Sequence, residues 1–135
     1  MATSGKIFIS YRRSESSKDA RAVYERLCRD FGEQKVFIDL EGIAPGDDFV
    51  ELLEHHLEGC EVLVAVIGPG WASARNEQGA LRLFEPDDFV RTELRTALGR
   101  GIKVFPVLVD GAPPLRAEQL PEDLQALVRR QAIAL

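Results

Sequence analysis

Five short apolar runs recur along the chain, and stretches with a helical period separate them. The runs are rich in β-branched and aromatic residues, and most of them are nearly continuous rather than alternating. Such runs are typical of strands that are buried on both faces, and therefore of a parallel sheet. The pattern predicts five strands: KIFIS (6–10), KVFID (35–39), EVLVAVIG (61–68), IKVFPVLV (102–109) and QAIAL (131–135).

The intervening stretches place apolar residues on one face at the 3.6-residue period of an α-helix. Gly32 follows the first of them, where glycine suits a C-cap, and Asp87 or Asp88 precedes the third as its N-cap. Strands that alternate with helices predict one doubly wound α/β domain. The predicted helices cover 17–31, 48–58, 87–99 and 121–130.

Two features of the chain's organisation stand out. Residues 69–88 form an irregular stretch of about twenty residues, and loops of that length in compact domains are usually functional or mobile. The fifth predicted strand has no helix after it to cover it. We therefore expect residues 1–135 to be a single domain that lacks its final helix, taken from the N-terminal end of a longer protein.

Length, charge and cysteine content exclude several classes of protein. A chain of 135 residues can build one core but not two. The net charge of −5 argues against a nucleic-acid binder, and no apolar run approaches the roughly 20 residues of a membrane span. The two cysteines, Cys28 and Cys60, are too few for a zinc site and suit a reducing compartment. We expect a cytoplasmic protein with no metal and no contact with nucleic acid or membrane.

The candidate chemistry lies where the predicted strands end. Ligands of open parallel sheets bind outside the carboxyl ends of the strands. Charged and aromatic side chains gather in the segments that should meet there, whereas no metal-ligand spacing is present. The side chains concerned are Arg12, Arg13, Asp39, Glu41, Trp71, Phe89 and Glu93.

Glu93 occupies an unusual position on the third predicted helix. It lies at the edge of the apolar stripe formed by Val90, Leu94 and Ala97, and no cation stands three or four residues after it. A glutamate on a helix is most often a solvated surface residue. A carboxylate at the edge of the buried face has a functional explanation only if it faces the ligand-binding cleft at the carboxyl ends of the strands.

Several nucleotide-binding and catalytic motifs do not occur in the sequence. It contains no G-x-G-x-x-G after the first strand, no G-x-x-x-x-G-K-[ST] and no G-x-S-x-G. A nicotinamide nucleotide, if bound, would therefore be a substrate and not a redox cofactor.

Five segments occur in the order and spacing of a known family. They are KIFISYRR, VFIDLEGIAPGDDF, VLVAVIGPGW, DDFVRTELRTAL and LPEDLQAL. From about residue 6 to residue 135 the chain resembles a TIR (Toll/interleukin-1 receptor) domain, and it is most similar to bacterial TIR domains and to the TIR domain of the animal axon-degeneration NAD hydrolase. The resemblance implies a flavodoxin-like three-layer fold, with a five-stranded parallel sheet of order 2-1-3-4-5 and helices on both faces.

The resemblance also implies roles for individual residues. In the NAD-cleaving branch of the family, the glutamate that cleaves the nicotinamide–ribose bond matches Glu93, and the aromatic residue one turn before it, a Trp in the animal enzyme, matches Phe89. Residues 39–49 match the BB loop, which gates the site and contacts neighbouring subunits. We expect substrate contacts from Phe89, Tyr11, Arg12, Arg13, Asp39, Glu41 and Trp71, and subunit contacts from Gly42, Ile43, Ala44, Pro45 and Gly46.

The implied function is that of an NAD glycohydrolase or cyclase. It would release nicotinamide from NAD and leave ADP-ribose, a cyclic form of it, or both, as the effector of a bacterial stress, defence or virulence system. NAD and other TIR domains would be its partners, and no cofactor would be needed beyond the substrate.

Structural explanations stay open for the same residues. Arg12 or Arg13 could pair with Asp39 or another acidic side chain, Trp71 could pack under the long loop, and Phe89 could belong to the core. Asp39 could cap a turn, and Glu41 could be a solvated loop charge.

Two other functional classes stay open as well. A non-catalytic scaffold that binds other TIR domains is the second hypothesis. A receiver-like phosphoacceptor domain using Asp39 fits less well, because such domains carry the acceptor after the third strand, where this chain has Gly68.

Overall fold

The computed structural model describes residues 5–38, 51, 57–86 and 88–135, apart from the side chains of residues 13 and 14. Five strands form one sheet: β1 (Lys6–Ser10), β2 (Val36–Ile38), β3 (Cys60–Ile67), β4 (Lys103–Leu108) and β5 (Ile133–Ala134). Four of the five predicted apolar runs contain one of them, and β3 begins one residue before its run, 61–68. The last run is reduced to a two-residue strand at the edge of the sheet.

The strands are all parallel and stand in the order β2-β1-β3-β4-β5. The predicted order 2-1-3-4-5 is therefore confirmed. The chain moves from β1 to β2 in one direction and then crosses to β3 on the other side of β1. The carboxyl ends of β1 and β3 consequently flank the point where strand order reverses, which is where open α/β sheets bind their ligands.

Two α-helices are described, α1 (Arg13–Phe31) and α2 (Phe89–Gly99). Helix α1 contains a non-helical residue, Ser16, so that one short turn precedes a regular helix from residue 17, where the sequence predicted the start. Gly32 is its C-cap, with a φ of 93° that suits glycine. The predicted helix 48–58 lies outside the described residues except for Glu51, Leu57 and Glu58.

The fourth predicted helix is a 3₁₀-helix, Glu122–Arg129, and not an α-helix. It begins after Pro121, whose carbonyl accepts from the Leu124 amide at 2.9 Å, an i to i+3 bond. A 3₁₀-helix places residues three apart on one face. Leu124 and Leu127 have this spacing, and both side chains are buried in the core.

The core consists of two clusters, one on each face of the sheet. Alternate residues of β3 serve the two clusters: Leu63, Ala65 and Ile67 belong to one, and Val64 and Val66 to the other. This alternation explains why β3 is apolar without interruption from Val62 to Ile67. The first cluster is covered by α2 and the 3₁₀-helix, and the second by α1, which gives the predicted three layers with helices on both faces.

The long irregular stretch folds against the first cluster. Trp71 and Leu83 are each 1% exposed and anchor it, an isolated bridge joins Arg75 to Leu81, and Arg82–Phe84 form a 3₁₀ turn. The stretch is therefore anchored to the core of the domain by Trp71 and Leu83 and ends at Asp88, the N-cap of α2. Among the described helices, none has the length and apolar character that crossing a membrane would require.

Candidate functional site

The site lies at the carboxyl ends of β1 and β3. Ser10 is the last residue of β1 and pairs with Ala65 of β3, in the middle of the sheet. Helix α1 starts three residues after Ser10, and α2 lies over the same end of the sheet. Four segments therefore meet here: the end of β1, the first turn of α1, the turn after β3 and the first two turns of α2.

Glu93 lies in the second turn of α2 and is 2% exposed. The Ser10 hydroxyl, also 2% exposed, donates a hydrogen bond of 2.9 Å to Glu93 Oε1 across 83 residues of sequence. The carboxylate therefore points to the strand ends and not to bulk solvent, so the interpretation as a solvated surface residue is wrong. Burying a carboxylate is unfavourable unless polar partners replace water, and Ser10 is one such partner.

An ion pair joins the starts of the two helices. Arg12 Nη1 and Nη2 donate to Asp88 Oδ1 and Oδ2 at 3.0 and 2.9 Å, and the two side chains are 1% and 3% exposed. Asp88 is also the N-cap of α2, where its Oδ2 accepts from the Arg91 amide at 3.1 Å. The sequence allowed an acidic partner for Arg12, and the structure identifies it as Asp88. The role of Asp88 in the site was missed, although its capping position was predicted.

Glu15 is a second carboxylate that the sequence did not single out. Its Oε2 accepts a hydrogen bond of 3.1 Å from the Gly70 amide, so it ties the first turn of α1 to the turn after β3. A Cβ at Gly68 would collide with the same carboxylate. A side chain at position 68 would therefore force the Glu15 carboxylate out of its place beside the Gly70 amide.

Three buried polar atoms near the start of α1 have no hydrogen-bond partner among the described residues. They are Arg12 Nε, Glu15 Oε1 and Ser16 Oγ. Buried polar groups in folded proteins are nearly always hydrogen-bonded to protein, water or ligand. A donor, a carboxylate oxygen and a hydroxyl close to the strand ends fit a polar, hydroxyl-bearing ligand better than an apolar one.

The remaining predicted site residues are placed as follows. Phe89 is half-buried and packs against the first core cluster, and Tyr11 is half-buried against the second. Trp71 is buried within the first cluster, which favours the packing explanation that the sequence left open. The Arg13 side chain, Asp39, Glu41 and the loop residues Gly42, Ile43, Ala44, Pro45 and Gly46 lie outside the described part of the chain.

The described residues contain no group of three His, Cys, Asp or Glu side chains that could hold a metal ion. The described side chains at the strand ends are carboxylates, a hydroxyl, a guanidinium and aromatic rings. Of the carboxylates, Asp88 is engaged by Arg12 and Glu15 by Gly70. Glu93, in the second turn of α2, combines burial with an orientation toward the centre of the sheet's carboxyl edge.

Fold and site together define a flavodoxin-like α/β domain with a buried glutamate at its topological switch point. A family model described as TIR domain (TIR_2) matches residues 7–133. The chain therefore belongs to the TIR domain family, as its motifs predicted.

Solved structures of TIR proteins have the same fold. One is the activated Roq1 resistosome directly recognizing the pathogen effector XopQ, whose TIR domains are 16% identical, with a TM-score of 0.55 over 93% of this chain and 68% of that one. Another is a metazoan TIR-STING receptor from C. gigas, 15% identical, with a TM-score of 0.54 over 94% of this chain and 38% of that one. At these identities the likeness concerns the fold alone. No curated protein sequence matches the chain significantly.

Proposed function

We propose that this TIR domain is an NAD glycohydrolase or cyclase, and that Glu93 is its catalytic residue. The observation that carries the proposal is the buried Glu93 carboxylate, which is turned toward the switch point and hydrogen-bonded by Ser10. The family resemblance of the α2 segment to the NAD-cleaving branch points to the same residue. The products are nicotinamide with ADP-ribose, a cyclic ADP-ribose, or both.

The reaction explains why one carboxylate is sufficient. Nicotinamide in NAD is a cationic leaving group that departs as a neutral molecule, so no general acid has to protonate it. Positive charge develops on the ribose as the bond breaks, as in glycoside hydrolysis. A carboxylate held near C1′, or on the ribose hydroxyls, stabilises that charge more in the transition state than in the ground state, which is the condition for catalysis.

Burial strengthens this effect. Charges interact more strongly in a site that excludes water, and Glu93 is almost completely shielded from solvent. Phe89 stands one turn before Glu93 and is only half-buried, so in this proposal its ring is the aromatic surface on which nicotinamide stacks. The buried atoms Arg12 Nε, Glu15 Oε1 and Ser16 Oγ add hydrogen-bonding capacity for the hydroxyl groups of the substrate.

The site also includes parts of a second subunit in this proposal. By resemblance, the interaction loop at 42–46 completes the site of a neighbouring TIR domain. Assembly then raises activity, and a dilute monomer turns over NAD slowly. The TIR domains of the Roq1 resistosome occur in such an assembly, which supports self-association as the mode of regulation.

The test is NAD consumption by the domain at high concentration or clustered on beads, with nicotinamide and ribose products separated by chromatography. Glu93→Gln keeps the shape and polarity of the side chain but removes its charge. We expect turnover to fall by about 10²- to 10³-fold, the usual cost of losing one such electrostatic contact. Glu122→Gln changes an exposed glutamate on the 3₁₀-helix and is the matched control. Wild-type turnover by the Glu93→Gln variant would refute the assignment.

The second candidate function is a non-catalytic scaffold that binds other TIR domains. Two observations favour it: the Trp of the animal enzyme is Phe89 here, and Phe89 packs against the core. Such a scaffold would self-associate, yet it would leave NAD intact even when clustered. Self-association without nicotinamide release by the wild-type domain would therefore favour the scaffold over the enzyme.

A further inference from the structure

The hydrogen bond from Ser10 to Glu93 joins the centre of the sheet to the second turn of α2. Ser10 is the last residue of β1, which pairs with β2 through Ile7–Ile9 and with β3 up to Ser10 itself, opposite Ala65. Its hydroxyl is therefore presented from the end of a central strand of the sheet. Glu93, by contrast, has a long side chain whose terminal torsion is broad and roughly two-fold when nothing restrains it.

We propose that Ser10 is a positioning residue that fixes the plane and the charge state of the Glu93 carboxylate for the reaction. The inference rests on the proposed function, in which Glu93 is the catalytic group. Ser10 itself need not touch the substrate.

Geometry supports this role in two ways. The bond of 2.9 Å ends on Oε1 and fixes one oxygen of the carboxylate, so the direction of the other oxygen follows from the planarity of the group. The Ser10 hydroxyl also donates a stronger hydrogen bond to the carboxylate when the carboxylate is ionised, because hydrogen bonds to a charged acceptor are stronger than bonds between neutral groups. A hydrogen bond donated to the ionised form of a carboxyl group favours ionisation, whereas burial disfavours it.

Several charged groups near α2, among the residues that the structure describes, are engaged in other contacts. Arg12 pairs with Asp88, Arg82 Nε lies 3.8 Å from Asp88 Oδ1, and Glu15 holds the Gly70 amide. On the side that faces the 3₁₀-helix, Arg91 pairs with Asp123 at 3.2 Å. Lys103 of β4 stands at the opposite, amino end of its strand. Replacing Ser10 leaves each of these groups in place, so a change in Glu93 titration reports on the lost hydroxyl.

The decisive variant is Ser10→Ala, which removes one oxygen atom from a buried site. We expect the acid limb of the kcat/KM profile to move up by about one pH unit, so that kcat/KM falls about tenfold at pH values below the limb. Partial unfolding would instead lower the rate by the same factor at every pH. Thr92→Val is the matched control, because Thr92 is an equally buried hydroxyl beside Glu93 that bonds to the Asp88 carbonyl at 2.9 Å.

A second readout does not depend on turnover. In protein labelled with ¹³C at the glutamate carboxyl carbons, the Glu93 signal is assigned by its loss in Glu93→Gln, and its titration midpoint is compared between variants. A midpoint raised by about one unit in Ser10→Ala but not in Thr92→Val supports the proposal. An unchanged midpoint overturns it, whether or not the domain cleaves NAD. If the wild-type domain cleaves no NAD, the proposed function fails separately, and the titration still decides whether Ser10 controls the carboxylate.

Discussion

The Arg12–Asp88 pair allows a quantitative prediction about stability. Asp88→Asn preserves the size of the side chain and an oxygen for capping α2, but it removes the negative charge opposite a guanidinium that is 1% exposed. Breaking a buried ion pair by neutralising one partner typically costs about 3–5 kcal/mol, because the other charge is left buried without compensation. Domains of this size have only about 5–15 kcal/mol of stability in total.

Urea denaturation followed by circular dichroism measures the effect. With an m-value of about 2 kcal/mol/M, a loss of this size lowers the midpoint by about 2 M. Asp88→Ala should lose about 1 kcal/mol more, because the N-cap acceptor disappears as well. A double variant that replaces Arg12 by Met and Asp88 by Leu should recover much of the loss, since no charge then remains buried.

The matched control is Asp123→Asn. Asp123 pairs with Arg91 at 3.2 Å and with Arg95 at 3.7 Å, but its side chain is 28% exposed. Water therefore screens this cluster, and its loss should cost less than about 1 kcal/mol. If Asp88→Asn were no more destabilising than Asp123→Asn, the reasoning from burial would be refuted.

Two further predictions concern the turn after β3 and the start of that strand. Gly68→Ala should displace the Glu15 carboxylate and break its hydrogen bond to the Gly70 amide, which should lower the free energy of unfolding in urea by about 1.5–3 kcal/mol. Gly99→Ala is the control, because nothing stands within 4 Å of the new Cβ, and it should be neutral or slightly stabilising. Equal effects of the two substitutions would contradict the predicted clash. Burial raises the pKa of the Cys60 thiol, so its alkylation by iodoacetamide at pH 8 should be slower than in the unfolded chain. Because the folded pKa is the higher one, the stability contributed by Cys60 is complete below about pH 8.5 and is lost as the pH rises through the folded value; Cys60→Ser should remove this pH dependence.

The sequence predicted the elements of this fold well wherever local pattern determines them. The apolar runs located β1 and β3 to within a residue, because strands buried on both faces leave little room for polar positions. The caps Gly32 and Asp88 followed from residue preferences that act within one turn of a helix. The 3₁₀-helix Glu122–Arg129 was taken for an α-helix because apolar spacings of three occur in both.

The contacts that build the site could not be read from the sequence in the same way. Glu93 was recognisable as unusual from its helix alone, but its partner Ser10 lies 83 residues away. Arg12 pairs with Asp88 across 76 residues of sequence, and Glu15 accepts from the Gly70 amide across 55. Pairings of this kind depend on which strand ends become neighbours, and hydrophobic periodicity carries no information about that choice. The general rule for open parallel sheets placed Glu93 near the strand ends, and the family resemblance gave it a catalytic role, but neither identified Ser10 as its partner.

These long sequence separations also determine when the site can form during synthesis and folding of the chain. Ser10 and Arg12 are synthesised first, and their partners Glu93 and Asp88 follow only after about two thirds of the 135 residues have been made. Contacts this distant in sequence form late in folding, because a long loop must close before they contribute. A nascent chain or a fragment that ends before α2 therefore lacks Glu93 and also the ion pair that joins the two helix starts. The candidate site is completed only in a chain that has folded as a whole.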